Sequence, residues 1–123
     1  MASNINRGPR QIWLALIWSV KGLRAGWRTE ASFRLEVILL VILFPAGLWL
    51  GDGAIEKALL TGSLLPVLAA EMLNSIVECL VDKLWPEHHE TAGRAKDMGS
   101  AAVFLLMVNV LVIWIIILVP RAF

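Results

Sequence analysis

The chain has 123 residues, of which 59% are hydrophobic and 17% are charged, and its mean hydropathy is +0.75. A soluble domain of this length covers its exterior with charged side chains, so this composition excludes the soluble fold classes and indicates a protein embedded in a bilayer. The net charge of +1 gives no basis for nucleic-acid binding. We therefore predict a single membrane-embedded domain over residues 1–123, with no nucleic-acid partner.

The first predicted element is an amphipathic helix over about residues 9–28. Pro9 suits the first turn of a helix, where its missing N–H costs no hydrogen bond. From Ile12 to Trp27, apolar residues recur at spacings of three and four. Basic residues on the same segment argue against a membrane span, so we expect this helix to lie in the headgroup plane.

Three apolar segments follow, each long enough to cross the ~30 Å hydrocarbon layer, which takes ~20 helical residues. The first span covers about residues 30–50, and the second covers about 54–85, which is longer than one crossing requires. A polar connection over 87–97 leads to the third span, 98–119, which carries no charge. The predicted fold class is an all-α integral membrane protein with three transmembrane helices and an N-terminal amphipathic surface helix.

The distribution of basic residues predicts the orientation of the chain. Nine of the eleven lysines and arginines fall in the N-terminal segment or around the second connection, and only Lys57 and Arg121 fall on the other side. Cytoplasmic segments carry the excess of Lys and Arg, so the N-terminus is predicted to be cytoplasmic and the C-terminus to lie outside.

Polar residues on the second span are the most informative feature of the sequence. Spacings of three and four place Glu71, Asn74, Glu78 and Asp82 on one face of a helix. A carboxylate at membrane depth costs ~2.5–3.5 kcal/mol or more, and such residues usually mark functional sites. They need a counter-charge, which is either a divalent cation or a basic side chain near the same boundary: Lys83, Arg94 or Lys96. The structural alternative is that they form hydrogen bonds between helices.

Two further acids, Glu30 and Glu36, lie where the surface helix leads into the first span, at a depth close to the lower end of the second helix. No Walker loop, glycine-rich kinase loop or HRD-type motif occurs in the chain. Phosphoryl transfer would therefore need carboxylates that hold metal, a lysine for the phosphates and a base for the acceptor hydroxyl, on a different scaffold.

Three blocks of the sequence resemble the small bacterial integral-membrane diacylglycerol kinases. They are KGLRAGWRTEASFRLE (21–36), AAEMLNSIVECLVDKL (69–84) and HETAGRAKDMGSAAV (89–103). The E-x-x-N-S-x-x-E pattern of 71–78 and the GRAKDMGSAAV block are specific, and the similarity covers nearly the whole chain. The resemblance implies a homotrimer in the bacterial inner membrane, with active sites between subunits at the cytoplasmic boundary.

The resemblance also implies the reaction: transfer of the ATP γ-phosphate to the primary hydroxyl of diacylglycerol, with Mg²⁺, giving phosphatidic acid. Glu71 would be the general base, Asn74 would support the site, and Glu30 and Glu78 would hold the metal that bridges the ATP phosphates. The implied nucleotide-binding residues are Glu30, Glu78, Glu87, His89, Gly93, Lys96 and Asp97, and the implied substrate-binding residues are Glu36, Glu71 and Ser100. The chain departs from close relatives at Gln11, where they carry arginine, and at Trp18, where some carry tyrosine, so no nucleotide contact is assigned to the surface helix.

Two other functions compete with this interpretation. Related small membrane proteins phosphorylate undecaprenol, and the apolar cleft and surface helix would admit either lipid. A non-enzymatic membrane oligomer or ion-conducting bundle, with the carboxylates lining a polar interior, is the alternative from a different class. It predicts no dependence on nucleotide, and it leaves the block Arg94–Asp97 without a role.

Overall fold

The computed structural model describes residues 8–122, which form five α-helices and no strand. The helices are α1 (Pro9–Thr29), α2 (Ala31–Leu50), α3 (Gly53–Gly62), α4 (Leu64–Leu84) and α5 (Glu90–Ala122). Three segments are long and apolar enough to cross a membrane: Ala31–Leu50, Gly53–Leu84 and Glu90–Ala122. This confirms the predicted fold class of three spans and an N-terminal helix. Arg7, which the orientation prediction used, lies outside the described residues.

Helix α1 is the predicted N-terminal helix. Pro9 occupies its first turn, and the helix ends at Thr29, one residue beyond the predicted boundary. The apolar positions of the helix face away from the rest of the chain: Ile12 is 74% exposed, Leu16 is 53% exposed and Val20 is 56% exposed. An apolar stripe that none of the described residues covers suits a helix that rests on lipid.

Helix α2 matches the predicted first span and continues without a break through Pro45. It ends before a tight turn in which Gly53 has a φ of +78°, a conformation that L side chains rarely adopt. A Cβ at Gly47 would lie 3.2 Å from both Leu60 Cβ and Thr61 Cγ2. The missing side chain at Gly47 therefore lets α2 and α3 approach closely, as small residues do between membrane helices.

The second predicted span, about 54–85, is confirmed as the apolar segment Gly53–Leu84, but an interruption at Ser63 divides it into α3 and α4. Pro66 explains the break, since it lacks an N–H and its ring clashes with the carbonyl four residues earlier, at Gly62. The Leu60 carbonyl beside the break accepts hydrogen bonds from Ser63 Oγ and from Trp114 Nε1 of α5, each 3.1 Å long.

The predicted polar connection over 87–97 is mostly helical, because α5 already begins at Glu90. The segment after His89 is rich in helix formers, including Glu90, Ala92 and Ala95. The His89 imidazole Nδ1 accepts a hydrogen bond from the backbone N–H of Ala92 and so caps the first turn. The apolar span predicted over 98–119 is therefore the later part of a helix that starts eight residues earlier.

Helix α4 lies at the centre of the bundle and packs against both α2 and α5. The buried apolar residues concentrate along this axis, with Leu64, Val67, Ala70 and Val81 on α4. Many large apolar residues elsewhere on the spans are exposed, as expected for helices that face lipid or other subunits.

Candidate functional site

The corner between α1 and α2 positions Glu30. Its N–H donates to the Gly26 carbonyl, and its extended backbone turns the chain from one helix into the next. Arg34, on the first turn of α2, donates from Nη1 to the carbonyl oxygens of Trp27 (2.9 Å) and Arg28 (3.4 Å). A guanidinium on the last carbonyls of a helix stabilises its C-terminus, so Arg34 fixes the corner that carries Glu30.

Close packing at Gly26 holds this corner against α4. Gly26 is buried, and a Cβ there would lie 3.0 Å from Met72 Cε and 3.2 Å from Phe33 Cδ1. Phe33 is only 2% exposed. Glu30 and Ser75 line one cavity of about 640 Å³ between α1 and α4. The corner therefore opens towards α4 at Ser75, beside the polar face that carries Glu71 and Asn74.

That polar face is graded from buried to exposed along α4. Glu71 is 7% exposed, Asn74 is 8% exposed, Glu78 is partly buried and Asp82 is exposed. The sequence placed these four residues on one helix face, and the structure shows that the face turns from the protein interior towards the surface at its Asp82 end.

Three other carboxyl groups, those of Glu36, Glu78 and Glu30, lie within electrostatic range of Glu71. We call Glu30, Glu36, Glu71 and Glu78 the glutamate cluster. Among residues 8–122, no lysine or arginine forms an ion pair with any of the four. Like charges gathered in a partly buried place repel one another, so the cluster has a strong electrostatic demand for a cation.

Asn74 connects the buried and exposed parts of this face. Its Nδ2 donates to Glu78 Oε1 over 3.4 Å. Its Oδ1 is buried without a hydrogen-bond partner among the described residues. The Nδ2 group of Asn74 therefore orients the Glu78 carboxylate, while Oδ1 of the same amide lies against α5.

Lys96 of α5 reaches the exposed end of the face. Its Nζ donates to Asp82 Oδ1 over 2.8 Å, and the two side chains are 38% and 66% exposed. Lys96 is also within electrostatic range of Glu78 and Asp97. Lys96 thus lies near Glu78 of the glutamate cluster, and its ion pair with Asp82 is exposed to solvent.

Most of the chain is similar to known proteins. The family described as prokaryotic diacylglycerol kinase matches residues 17–118. The diacylglycerol kinase of Escherichia coli K12 is 42% identical over 118 residues, which cover 96% of each chain. The diacylglycerol kinase of Haemophilus influenzae is 44% identical over 97 residues, which cover 79% of this chain and 82% of the relative. That of Pseudomonas aeruginosa is 40% identical over 111 residues, which cover 90% of each chain.

The chain belongs to the prokaryotic diacylglycerol kinase family. It is therefore a transmembrane member of a family of kinases, as the resemblance of its three sequence blocks predicted. The catalytic, metal and nucleotide roles of individual residues stay predictions.

The predicted catalytic residues of this family member lie together. Glu71, Asn74 and Glu78 occupy successive turns of α4, and Glu30 joins them from the α1–α2 corner. Residues 8–122 contain no group of three or more His, Cys, Asp or Glu side chains arranged to hold a metal ion by themselves. Glu30 and Glu78 could supply only part of the ligand shell of a Mg²⁺ ion, and their metal role stays a prediction.

The predicted nucleotide residues are spread over the start of α5. Glu87, His89 and Asp97 are exposed, and Gly93 is partly buried. Within the described part of the chain, none of these residues is hydrogen-bonded to the glutamate cluster, and His89 caps α5. Among the predicted nucleotide residues on α5, the structure places Lys96 within electrostatic range of Glu78.

The predicted substrate residues lie on different faces. Glu36 lines an apolar cavity of about 240 Å³ between α2, α4 and α5, whose other lining residues include Leu40, Val67 and Met107. Ser100 is exposed on α5. Glu36 therefore lies where an apolar groove meets the glutamate cluster, whereas Ser100 does not line that groove.

Two positioning features escaped the sequence analysis. The role of Arg34 in fixing the corner had no local signal, because its acceptors are backbone carbonyls six and seven residues away. The second is Gly99, which lies directly against Asn74. A glycine inside a membrane helix is a signal of close approach between helices, and this signal was available in the sequence.

Proposed function

We propose that this protein transfers the γ-phosphate of ATP to the primary hydroxyl of diacylglycerol, giving phosphatidic acid and ADP. The observation that carries the proposal is the glutamate cluster: four carboxyl groups from the α1–α2 corner, α2 and α4, which have no basic ion-pair partner among residues 8–122. The names of the relatives supply the acceptor, since each is called a diacylglycerol kinase.

Glu71 is the proposed general base. It is buried, and within residues 8–122 no cation or hydrogen-bond donor engages its carboxylate, so its lone pairs remain available for a proton. In the proposed step, Glu71 takes the proton of the lipid hydroxyl while the hydroxyl oxygen forms a bond to the γ-phosphorus. The bond between the γ-phosphorus and the β–γ bridging oxygen breaks, and ADP leaves with that electron pair.

Glu30 and Glu78 are the proposed ligands of Mg²⁺. They approach from two elements, the α1–α2 corner and α4, and hard oxygen donors of this kind suit the ion. When bound, Mg²⁺ neutralises charge on the ATP phosphates and on the cluster itself. The Asn74 amide holds Glu78 by donating to its Oε1, so it supports the metal site without needing to contact the metal.

Lys96 is proposed to contact the phosphates, and Asp97 with the segment containing Glu87, His89 and Gly93 is proposed to bind the rest of the nucleotide. The support is position: Lys96 lies within electrostatic range of Glu78, and its ion pair with Asp82 is exposed. An exposed pair has low stability, so an incoming phosphate can displace Asp82 at little cost.

The lipid is proposed to arrive from the bilayer along the apolar groove that ends at Glu36, with Ser100 as a further substrate contact. The groove is lined mostly by leucine, valine and methionine, which suit acyl chains, and Glu36 lies within electrostatic range of Glu71 at its polar end. This arrangement would place a glycerol hydroxyl near the base and the chains among apolar residues.

We further propose that residues 1–123 form one domain that assembles as a homotrimer, with the N-terminus cytoplasmic and the C-terminus outside. The extensive exposed apolar surface of the three spans supports assembly within the membrane. The nine basic residues of the N-terminal segment and second connection support the orientation, which places the bacterial enzyme in the inner membrane with its ATP-binding side inward.

The proposal is tested by phosphorylation assays on purified protein in mixed micelles with Mg-ATP, with either diacylglycerol or undecaprenol as the acceptor. We expect the wild type to phosphorylate diacylglycerol. The rate of Glu71→Gln should be about 10²–10⁴-fold lower than the wild-type rate, which is the usual contribution of a general base. Asp52→Asn is the matched control, because Asp52 is an exposed carboxylate that caps no helix through its side chain.

Each alternative function gives a different result in this assay. Preferred turnover of undecaprenol would replace the acceptor and keep the kinase site. Turnover of neither lipid by folded wild-type protein would overturn the kinase proposal and favour a structural or conducting role for the glutamate cluster.

A further inference from the structure

Gly99 of α5 lies against the Asn74 amide at a separation that no side chain would allow. A Cβ built on Gly99 would lie 2.4 Å from Asn74 Oδ1 and 3.4 Å from Asn74 Cγ. Real Cβ atoms do not approach oxygen so closely, so any other residue at this position would displace the amide or separate the two helices. The fit between α4 and α5 at this point depends on the absence of a side chain.

The same contact accounts for the one buried side-chain oxygen that lacks a hydrogen-bond partner in the described chain. Asn74 Oδ1 is buried without a donor, although a buried polar oxygen is costly when unsatisfied. The direction from Gly99 Cα to a Cβ is also the direction of one Cα–H bond, so that hydrogen lies on the side of Gly99 that faces Oδ1. Contacts between a Cα–H group and an oxygen recur where membrane helices pack closely.

The opposite end of the amide faces the glutamate cluster. Asn74 Nδ2 donates to Glu78 Oε1, and a reversed amide would place its oxygen against that carboxylate. Contact with Gly99 on one side and with the Glu78 carboxylate on the other therefore favours this orientation of the Asn74 amide. The three atoms nearest to a Cβ built on Gly99 all belong to Asn74, so the effect of Gly99 on the site is expected to pass through Asn74.

We propose that Gly99 is a positioning residue, which holds the Asn74 amide in the orientation that directs Nδ2 to Glu78. The proposal rests on the proposed function for its kinetic consequence, because Glu78 matters there as a metal-holding carboxylate. Its structural content, one fixed orientation of Asn74 set by Gly99, does not depend on the reaction.

The kinetic test is Gly99→Ala, measured alone and in an Asn74→Ala background. We expect the single change to lower kcat by about ten-fold or more and to raise the apparent KM for Mg-ATP, because small displacements of a positioned group have effects of this size. The KM for diacylglycerol should stay within about two-fold. In the Asn74→Ala background, adding Gly99→Ala should change kcat by less than about two-fold, since the positioned group is gone.

Gly62→Ala is the matched control, because a Cβ at Gly62 meets nothing within 4 Å. It should keep wild-type kinetics. A loss in Gly99→Ala that persists undiminished in the Asn74→Ala background would overturn the proposal and assign Gly99 a packing role alone.

A second measurement separates this proposal from the proposed function. The chain contains four asparagines, Asn4, Asn6, Asn74 and Asn109, so the side-chain amide of Asn74 can be assigned in ¹⁵N-asparagine spectra by its loss in Asn74→Ala. We expect this amide to exchange slowly with water in the wild type, and to shift and exchange faster in Gly99→Ala. An unchanged Asn74 amide in Gly99→Ala would overturn the positioning role even if the kinase assay succeeds, whereas a wild type without kinase activity would leave this spectral test intact.

Discussion

At the end of the bundle where α2 turns into α3, charged and polar groups satisfy one another. Arg121 of α5 donates to the Leu50 carbonyl over 2.6 Å and pairs with Glu56. Glu56 in turn accepts from the Asp52 N–H. At the other end of α2 lies the glutamate cluster, whose four carboxyl groups have no basic ion-pair partner among residues 8–122.

The two ends hold charge for different purposes. The contacts of Arg121 with Glu56 and the Leu50 carbonyl hold the C-terminal part of α5 against the α2–α3 turn, so their role is structural. Repelling carboxylates lower the stability of the folded chain, so their presence at the other end indicates a ligand that supplies the missing positive charge. The contrast predicts that neutral substitutions at the two ends will have opposite effects on stability and activity.

The largest expected difference is between Glu78→Gln and Glu56→Gln. Removing the Glu78 charge should lower diacylglycerol kinase activity by about 100-fold, because a metal-holding carboxylate is lost, while the melting temperature stays the same or rises as repulsion falls. Glu56→Gln should keep activity within about two-fold and lower the melting temperature by a few degrees, because it breaks the pair with Arg121.

Thermal unfolding in detergent and lipid phosphorylation measure the two properties on the same preparations. If Glu78→Gln lowered the melting temperature as much as Glu56→Gln, the proposed difference between the two ends would be contradicted, and the glutamate cluster would be a structural feature.

A smaller effect is expected from the Lys96–Asp82 pair beside the cluster. Lys96→Met should raise the apparent KM for ATP by about ten-fold, because a charge near the phosphates is lost. Asp82→Asn should leave that KM unchanged or lower it, because Lys96 is released, and the melting temperature should not change, since the pair is exposed. A rise in the KM for ATP in Asp82→Asn would show that Asp82 itself takes part in nucleotide binding.

The smallest effect is predicted at the break between α3 and α4. Trp114→Phe removes the indole N–H that donates to the Leu60 carbonyl, and we expect a loss of about 0.5–1 kcal/mol in the free energy of unfolding. The Leu60 carbonyl keeps the bond from Ser63 Oγ, which limits the loss. Denaturant titration should detect this change with kinase activity unaltered, and Trp49→Phe, at a side chain 83% exposed, is the control that should change neither property.

The membrane location, the number of spans and the family could be predicted from sequence, because each depends on patterns that are local in the chain. Long apolar runs have no stable place outside a bilayer, and the spacing of Glu71, Asn74 and Glu78 fixes one helix face whatever packs against it. The start of α5 and the break at Ser63 were missed although Pro66 and the helix formers after His89 gave local signals.

Other features depend on pairs of residues that are distant in sequence. The meeting of Glu30 and Glu36 with Glu71 follows from the fold of α1 and α2 back onto α4, and no spacing within one helix predicts it. The fit of Gly99 against Asn74 likewise depends on the distance and rotation between α4 and α5.

The sequence by itself determined which faces are polar and which segments enter the membrane, since hydrophobicity and helix period act locally. Only the tertiary structure decided which polar faces meet, because the packing of whole helices sets the distances between them.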